Sequence, residues 1–130
     1  MAITVGMEGM EDILSDLRKA EKETRHVAVN VLREQAKVVR DDARSRVPVK
    51  TGSLQKSIRY SVSKKNVTAS IHAGGKKVNG INTFYAQFIE FGTKNKPARP
   101  FLYPAGRAHE VETRDKLMKV FYDLVRGKII

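Results

Sequence analysis

Apolar residues recur every three to four positions at Met10, Ile13, Leu14 and Leu17, and again at Ala28, Val31, Leu32, Ala36, Val39 and Ala43. That period gathers them on one face of a long amphipathic helix, with a break expected near residue 20. The other face carries Glu21 with Arg25 and Asp42 with Arg46, pairs four residues apart that each support an exposed helix by roughly 0.2–0.5 kcal/mol. Pro48 disfavours the α conformation at Val47, and Thr51-Gly52 offers a turn in which glycine takes positive φ, so the chain should reverse here. The period then changes to two. Ile58, Tyr60 and Val62 alternate with polar residues, as do Val67, Ala69, Ile71 and Ala73 beyond Lys64-Lys65-Asn66, which predicts an antiparallel hairpin with one face on the helix. Ser53 is read as the start of this strand region, and Lys56, Arg59, Ser61 and Ser70 are expected near solvent or a neighbour. The stretch Gly74–Gly80 has three glycines and no period, and reads as a mobile loop. Helical spacing returns at Phe84, Tyr85, Phe88 and Phe91, with Asn82 or Thr83 to cap a short helix and Gly92 to end it. Lys94–Pro100 should be extended, and a last helix should begin between Pro100 and Pro104, with Leu117, Val120, Phe121, Leu124 and Val125 as its apolar stripe. The expected class is α+β: a long N-terminal helix and a C-terminal helix packed on a small antiparallel sheet containing a β-hairpin, with one short extra helix.

Composition narrows this. The 130 residues, 41% hydrophobic and 30% charged, suit a single domain spanning residues 1–130 with a modest core. No apolar run approaches the roughly 20 residues that span a bilayer, and Met1-Ala2-Ile3-Thr4-Val5 lacks the basic flank and hydrophobic stretch of a signal peptide. A soluble, unprocessed protein without a membrane partner is expected. With no cysteine there are no disulfides, thiolate metal sites or cysteine nucleophile, and a reducing cytoplasm fits.

The net charge of +11 is uneven. Residues 1–50 carry ten Lys/Arg against nine Asp/Glu, residues 51–110 ten against two, and residues 111–130 five against three. No acid lies between Ala43 and Ile89. Such a stretch can serve nucleic acid or an acidic protein partner, or it can simply be a solvated surface.

Candidate chemistry is sparse. The chain has no phosphate loop, no H-E-x-x-H, no G-x-S-x-G and no dinucleotide fingerprint. Ser53-Leu54-Gln55-Lys56 matches S-x-x-K formally, without the partner motifs that would give it meaning. His26, His72 and His109 lie singly and without metal-ligand spacing, so neither a metal nor another cofactor is implied. Asp41 and Asp42 sit among Arg40, Arg44 and Arg46, where ion pairing accounts for them. These negatives point away from an enzyme. Phe84, Tyr85, Phe88, Phe91, Phe101 and Tyr103 crowd into twenty residues. Interleaved with Lys94, Lys96 and Arg99 they could stack bases, but helical spacing favours a hydrophobic seam joining the short helix to the last one. Glu90 is the only acid between Asp42 and Glu110, and a salt bridge with Arg99, within a subunit or across an interface, is the expected role.

Two motif blocks carry a resemblance. Residues Ala43-Arg44-Ser45-Arg46-Val47-Pro48-Val49-Lys50-Thr51-Gly52-Ser53-Leu54-Gln55-Lys56-Ser57-Ile58, followed by Tyr85–Thr93 and by Ala98-Arg99-Pro100-Phe101-Leu102-Tyr103-Pro104-Ala105, resemble the tailed-phage family typified by the gene-ten product of phage HK-ninety-seven. The resemblance runs through nearly the whole chain in order, and departs mainly at the lysine-rich loop Gly74–Gly80. It implies a structural virion protein of the head-tail junction, a tail completion or neck component from a phage or prophage, assembled in the host bacterial cytoplasm. Rings need two unlike adhesive surfaces on one subunit. Tyr85, Phe88, Glu90, Phe91, Gly92, Thr93, Arg99, Pro100 and Phe101 are the candidates for one, with Pro48, Thr51 and Gly52 shaping the turn. The hairpin with Lys64, Lys65, Lys76 and Lys77 is the candidate for the other, or for a face toward the genome-conducting channel or an acidic ring. Expected partners are further copies of the chain and adjacent connector, stopper or tail proteins, with non-specific contact to genomic DNA. The alternatives are a tail terminator, a basic nucleic-acid-binding module, or a small hydrolase or toxin.

Overall fold

The computed structural model describes residues 1–5, 11–48, 52–75, 77–78 and 80–127. Met10, Thr51 and Lys76, singled out above, lie outside the described residues. The fold is α+β. Strand β1 (Ala2–Thr4) leads to helices α1 (Glu11–Lys19), α2 (Lys22–Arg46) and α3 (Ser53–Ser57), then to strands β2 (Arg59–Ser63), β3 (Thr68–His72), β4 (Lys77–Val78) and β5 (Ile81–Asn82). Helices α4 (Ala86–Phe91), α5 (Leu102–Ala108) and α6 (Glu110–Val125) follow. The expected interruption near residue 20 is present, with Glu21 extended at φ −60°, ψ 159° between α1 and α2.

The 25-residue α2 is the spine. Ala28, Leu32, Ala36, Val39 and Ala43 are fully buried along it, and the alternation of alanine with larger residues lets the sheet and α5–α6 approach closely. The hairpin forms as the alternation predicts, with Tyr60 paired to Ile71 and Val62 to Ala69. Ala69 and Ile71 point into the core, while the guanidinium of Arg40 on α2 stacks on the Tyr60 ring at 5.3 Å. A third strand not anticipated from the sequence, β1, pairs antiparallel with β3 (Ile3 to Ile71), so β3 is central. Three residues are too few to display a period. On the helical side, Thr113 of α6 donates from Oγ1 to Gln35 Oε1 at 2.9 Å inside the core. Of the two charge pairs expected on the long helix, Asp42 with Arg46 forms at 2.7 Å; Arg25 instead points a guanidinium N–H to the Arg18 carbonyl at 3.5 Å.

The reversal after α2 works as the sequence implies. Val47 leaves the helix at ψ 138° ahead of Pro48, and Gly52 takes φ 79°. The chain is then stapled back: Arg44 donates from Nε and Nη2 to the Ile58 carbonyl (3.1 and 2.7 Å), and Gln55 Nε2 donates to the Arg44 carbonyl at 3.0 Å. Four expectations need correction. Ser53-Leu54-Gln55-Lys56 is a turn of helix, not strand, because Gly52 re-aims the chain before the sheet begins. Gly74–Gly80 is not wholly aperiodic: it holds strand β4, which pairs with β5 just beyond it, Lys77 with Asn82 and Val78 with Ile81. Among the described residues there are three short helices, α3, α4 and α5, rather than one. The last helix is interrupted at His109 (φ −112°, ψ 8°), where α5 ends and α6 starts.

Candidate interaction surface

The residues from Thr83 to Leu102 form a frame in which one polar group sets which side faces out. Helix α4 turns Ala86 and Glu90, four residues apart, inward to 2% and 3% exposure. Phe84, Tyr85, Phe88 and Phe91 therefore lie on the opposite stripe, 61%, 37%, 52% and 63% exposed. The seam expected from their helical spacing forms only in part, through buried Phe101 and the rim contact of Phe91 with Tyr103, since the face of α4 that goes inside is the one carrying the small residue and the acid. Tyr103 of α5, also exposed, extends the stripe through a tilted ring contact with Phe91 (centroids 5.7 Å apart).

Glu90 does not pair with Arg99. Its Oε1 accepts the backbone N–H groups of Phe101 (3.1 Å) and Leu102 (2.7 Å) at the start of α5. A carboxylate carried this deep needs such charge-assisted bonds, and the donors are ones a helix start leaves open. The intervening loop is built to deliver them. Gly92 closes α4 at φ 78°, ψ 174°, with its N–H on the Phe88 carbonyl at 2.9 Å. A Cβ there would meet the Ala98 nitrogen at 2.7 Å. Thr93 accepts the Lys96 N–H on its Oγ1 (3.2 Å), and the Arg99 N–H reaches the Ile89 carbonyl (2.8 Å). Phe101 is fully buried as the anchor. The nine residues proposed from sequence thus divide: Tyr85, Phe88, Phe91, Thr93, Arg99 and Pro100 are exposed, Gly92 is partly covered, and Glu90 and Phe101 are inside. Phe84 and Tyr103 join the exposed set.

The first motif block has an equally specific internal role. Buried Ser57 donates from Oγ to the Leu54 carbonyl (2.6 Å) and accepts the Gly74 N–H (3.0 Å). Arg59 donates to the carbonyls of Ser57 (2.8 Å) and Gly74 (3.1 Å). The acid-free stretch is therefore partly structural, with Arg44, Arg46 and Arg59 committed to the fold, while Lys56, Lys64, Lys65 and Lys77 face solvent. Lys64 and Lys65 sit in the β2–β3 turn, Lys77 on β4.

The titratable groups elsewhere serve packing. Ser53 is buried while Lys56 is exposed, so the S-x-x-K pair does not converge. His109 Nε2 lies 2.8 Å from Asp42 Oδ2, and hydrogen bonding from Arg46, with His109 helping, holds the Asp42 carboxyl below its ordinary range. Among the described residues no group of three or more His, Asp or Glu is placed to hold a metal. His72, with Nε2 2.9 Å from Ser61 Oγ, is pushed below the ordinary 6.5 by burial first and by the Arg59 charge second. The unfolded chain takes up this proton more readily, so the stabilisation is complete above about pH 6.5 and is lost as pH falls toward the folded value. NMR titration should place the His72 midpoint below 6.5, and His72→Gln should flatten that part of the unfolding-temperature curve.

A family model described as "Bacteriophage HK97-gp10, putative tail-component" matches residues 11–92, from the start of α1 to the glycine that ends α4. The chain belongs to this HK97-gp10-like family. Searches of curated proteins and of solved structures return no match. The family description is of a phage tail component, which implies a place in the virion and contact with other phage proteins. Within this HK97-gp10-like chain the matched segment includes both the Ser57–Gly74 junction and the outward aromatic stripe of α4.

Proposed function

We propose that this HK97-gp10-like protein is a structural component of the head-tail junction, a tail completion or neck piece that assembles into a ring and docks neighbouring connector, stopper or tail proteins. The single observation that supports docking is the exposed stripe of Phe84, Tyr85, Phe88, Phe91 and Tyr103 on a frame fixed from inside by Glu90. Large aromatic side chains held out on a rigid element bring much apolar area at little ordering cost, and contiguous patches of this kind mark protein-protein contacts. Ring closure requires a different patch on the next copy, and the surface around the sheet and its turns is the proposed counterpart. The protein works by adhesion and carries out no reaction.

Sedimentation or mass photometry across concentrations, alone and with the products of adjacent phage genes, tests this. The expected result is a closed oligomer or a defined complex, and Phe88→Ser with Phe91→Ser should weaken it by about tenfold or more per ring removed with the unfolding temperature retained. A chain that stays monomeric under every one of these conditions would refute the docking role.

A further inference from the structure

A separate open cleft of about 350 Å³ lies between α2 and the β2–β3 turn. Helix α2 supplies Lys22, Arg25, His26 and Val29, spaced i, i+3, i+4 and i+7 so that they form one stripe, and the turn supplies Lys64 and Lys65. Among the described residues no carboxylate lines it. Four fixed positive charges and an imidazole around one concavity repel one another, and the arrangement becomes favourable when an anion enters. The turn is also held in place rather than left to spread its lysines apart. Arg18 Nε donates to the Asn66 carbonyl (2.6 Å), Ser63 Oγ accepts the Asn66 N–H (3.2 Å), and fully buried Val67 anchors the turn at φ 51°, a rare backbone for a β-branched residue.

We propose that this cleft binds the phosphates of a nucleic-acid backbone without reading sequence. Among the described residues no aromatic ring lines the cleft, so it offers nothing on which to stack a base. Ammonium groups on flexible stems act as point charges and follow a phosphate whose position shifts. Lys77, grouped with Lys64 and Lys65 by sequence, does not line the cleft. The inference adds a contact to the docking role proposed above but does not depend on it, since the aromatic stripe can assemble particles whether or not this cleft is filled.

Fluorescence anisotropy of two unrelated duplex DNA sequences with the full chain, across a salt series, is the test. Equal affinity for both is expected, with the logarithm of the binding constant falling linearly with the logarithm of salt, about 0.9 per phosphate neutralised. The double variant Lys64→Gln, Lys65→Gln should shallow that slope by about 2, Lys22→Gln on the other wall by about 1, and Lys77→Gln should leave it unchanged. Melting temperatures should stay at the parent value, because the substituted side chains are exposed. An unchanged slope in both wall variants, a preference for one DNA sequence, or displacement of DNA by poly-glutamate at lower charge concentration than by competing DNA would each overturn the proposal. Oligomer formation measured on the same variants reports the docking role separately.

Discussion

Glu90→Ala should lower folding stability by about 3 kcal/mol, and the melting temperature by on the order of 10 °C. The carboxylate is 3% exposed and its Oε1 serves two backbone donors, Phe101 and Leu102. Removing it leaves both N–H groups inside the protein with neither water nor an acceptor, and each such orphan costs about 1–3 kcal/mol. Glu90→Gln keeps an acceptor oxygen and loses the charge that strengthens the bonds, so it should cost less, about 1–2 kcal/mol. Chemical denaturation of the two variants checks the ordering. A surface role for Glu90 predicts the opposite pattern, in which Ala leaves monomer stability intact and weakens only assembly.

Gly74→Ala should be at least as damaging, about 3–5 kcal/mol, while Gly52→Ala should cost only about 1–2 kcal/mol. The two glycines share nearly the same backbone, φ 73° and φ 79°, so the penalty for a side chain at positive φ is common to both. They differ in their surroundings. A Cβ at Gly74 would stand 2.5 Å from the Thr83 carbonyl oxygen and 2.7 Å from the Ala86 Cβ, whereas among the described residues nothing lies within 4 Å at Gly52. The clash is with backbone on one side and the base of α4 on the other, so neither neighbour can swing aside. Gly74 also donates to Ser57 Oγ, and a shift there loosens the junction between α3 and the β4–β5 hairpin. Equal melting temperatures for the two variants would contradict the packing described.

How much was legible follows from what leaves a trace in side-chain type. The long helix and the hairpin have many repeats of a clear period, and both appear where Ala28–Ala43 and Ile58–Ala73 placed them. The β4–β5 hairpin has only two residues per strand, and its one signal, Asn79-Gly80 between Val78 and Ile81, is the residue pair that tight hairpin turns favour. Spacing showed that Phe84, Phe88 and Phe91 share a face but not which way that face points. Ala86 and Glu90 decide it, and an acid reads as outward unless its partners are known. Those partners are backbone N–H groups, which no residue type announces. The basic cleft was hidden for a related reason: Lys22 and Lys64 are far apart in sequence, and only the packing of the turn on α2 makes them neighbours.

The bond from Glu90 to Leu102 also says what has to be inherited together. The match to the family model ends at residue 92, yet the carboxylate just inside that point is completed by the amides of Phe101 and Leu102, eleven and twelve positions after Glu90. An insertion or deletion between Phe91 and Phe101 would strand the acid and tilt every ring mounted on the same helix. Gene exchange among phages that cut between Gly92 and Phe101 would therefore transfer an exposed aromatic face without the brace that aims it.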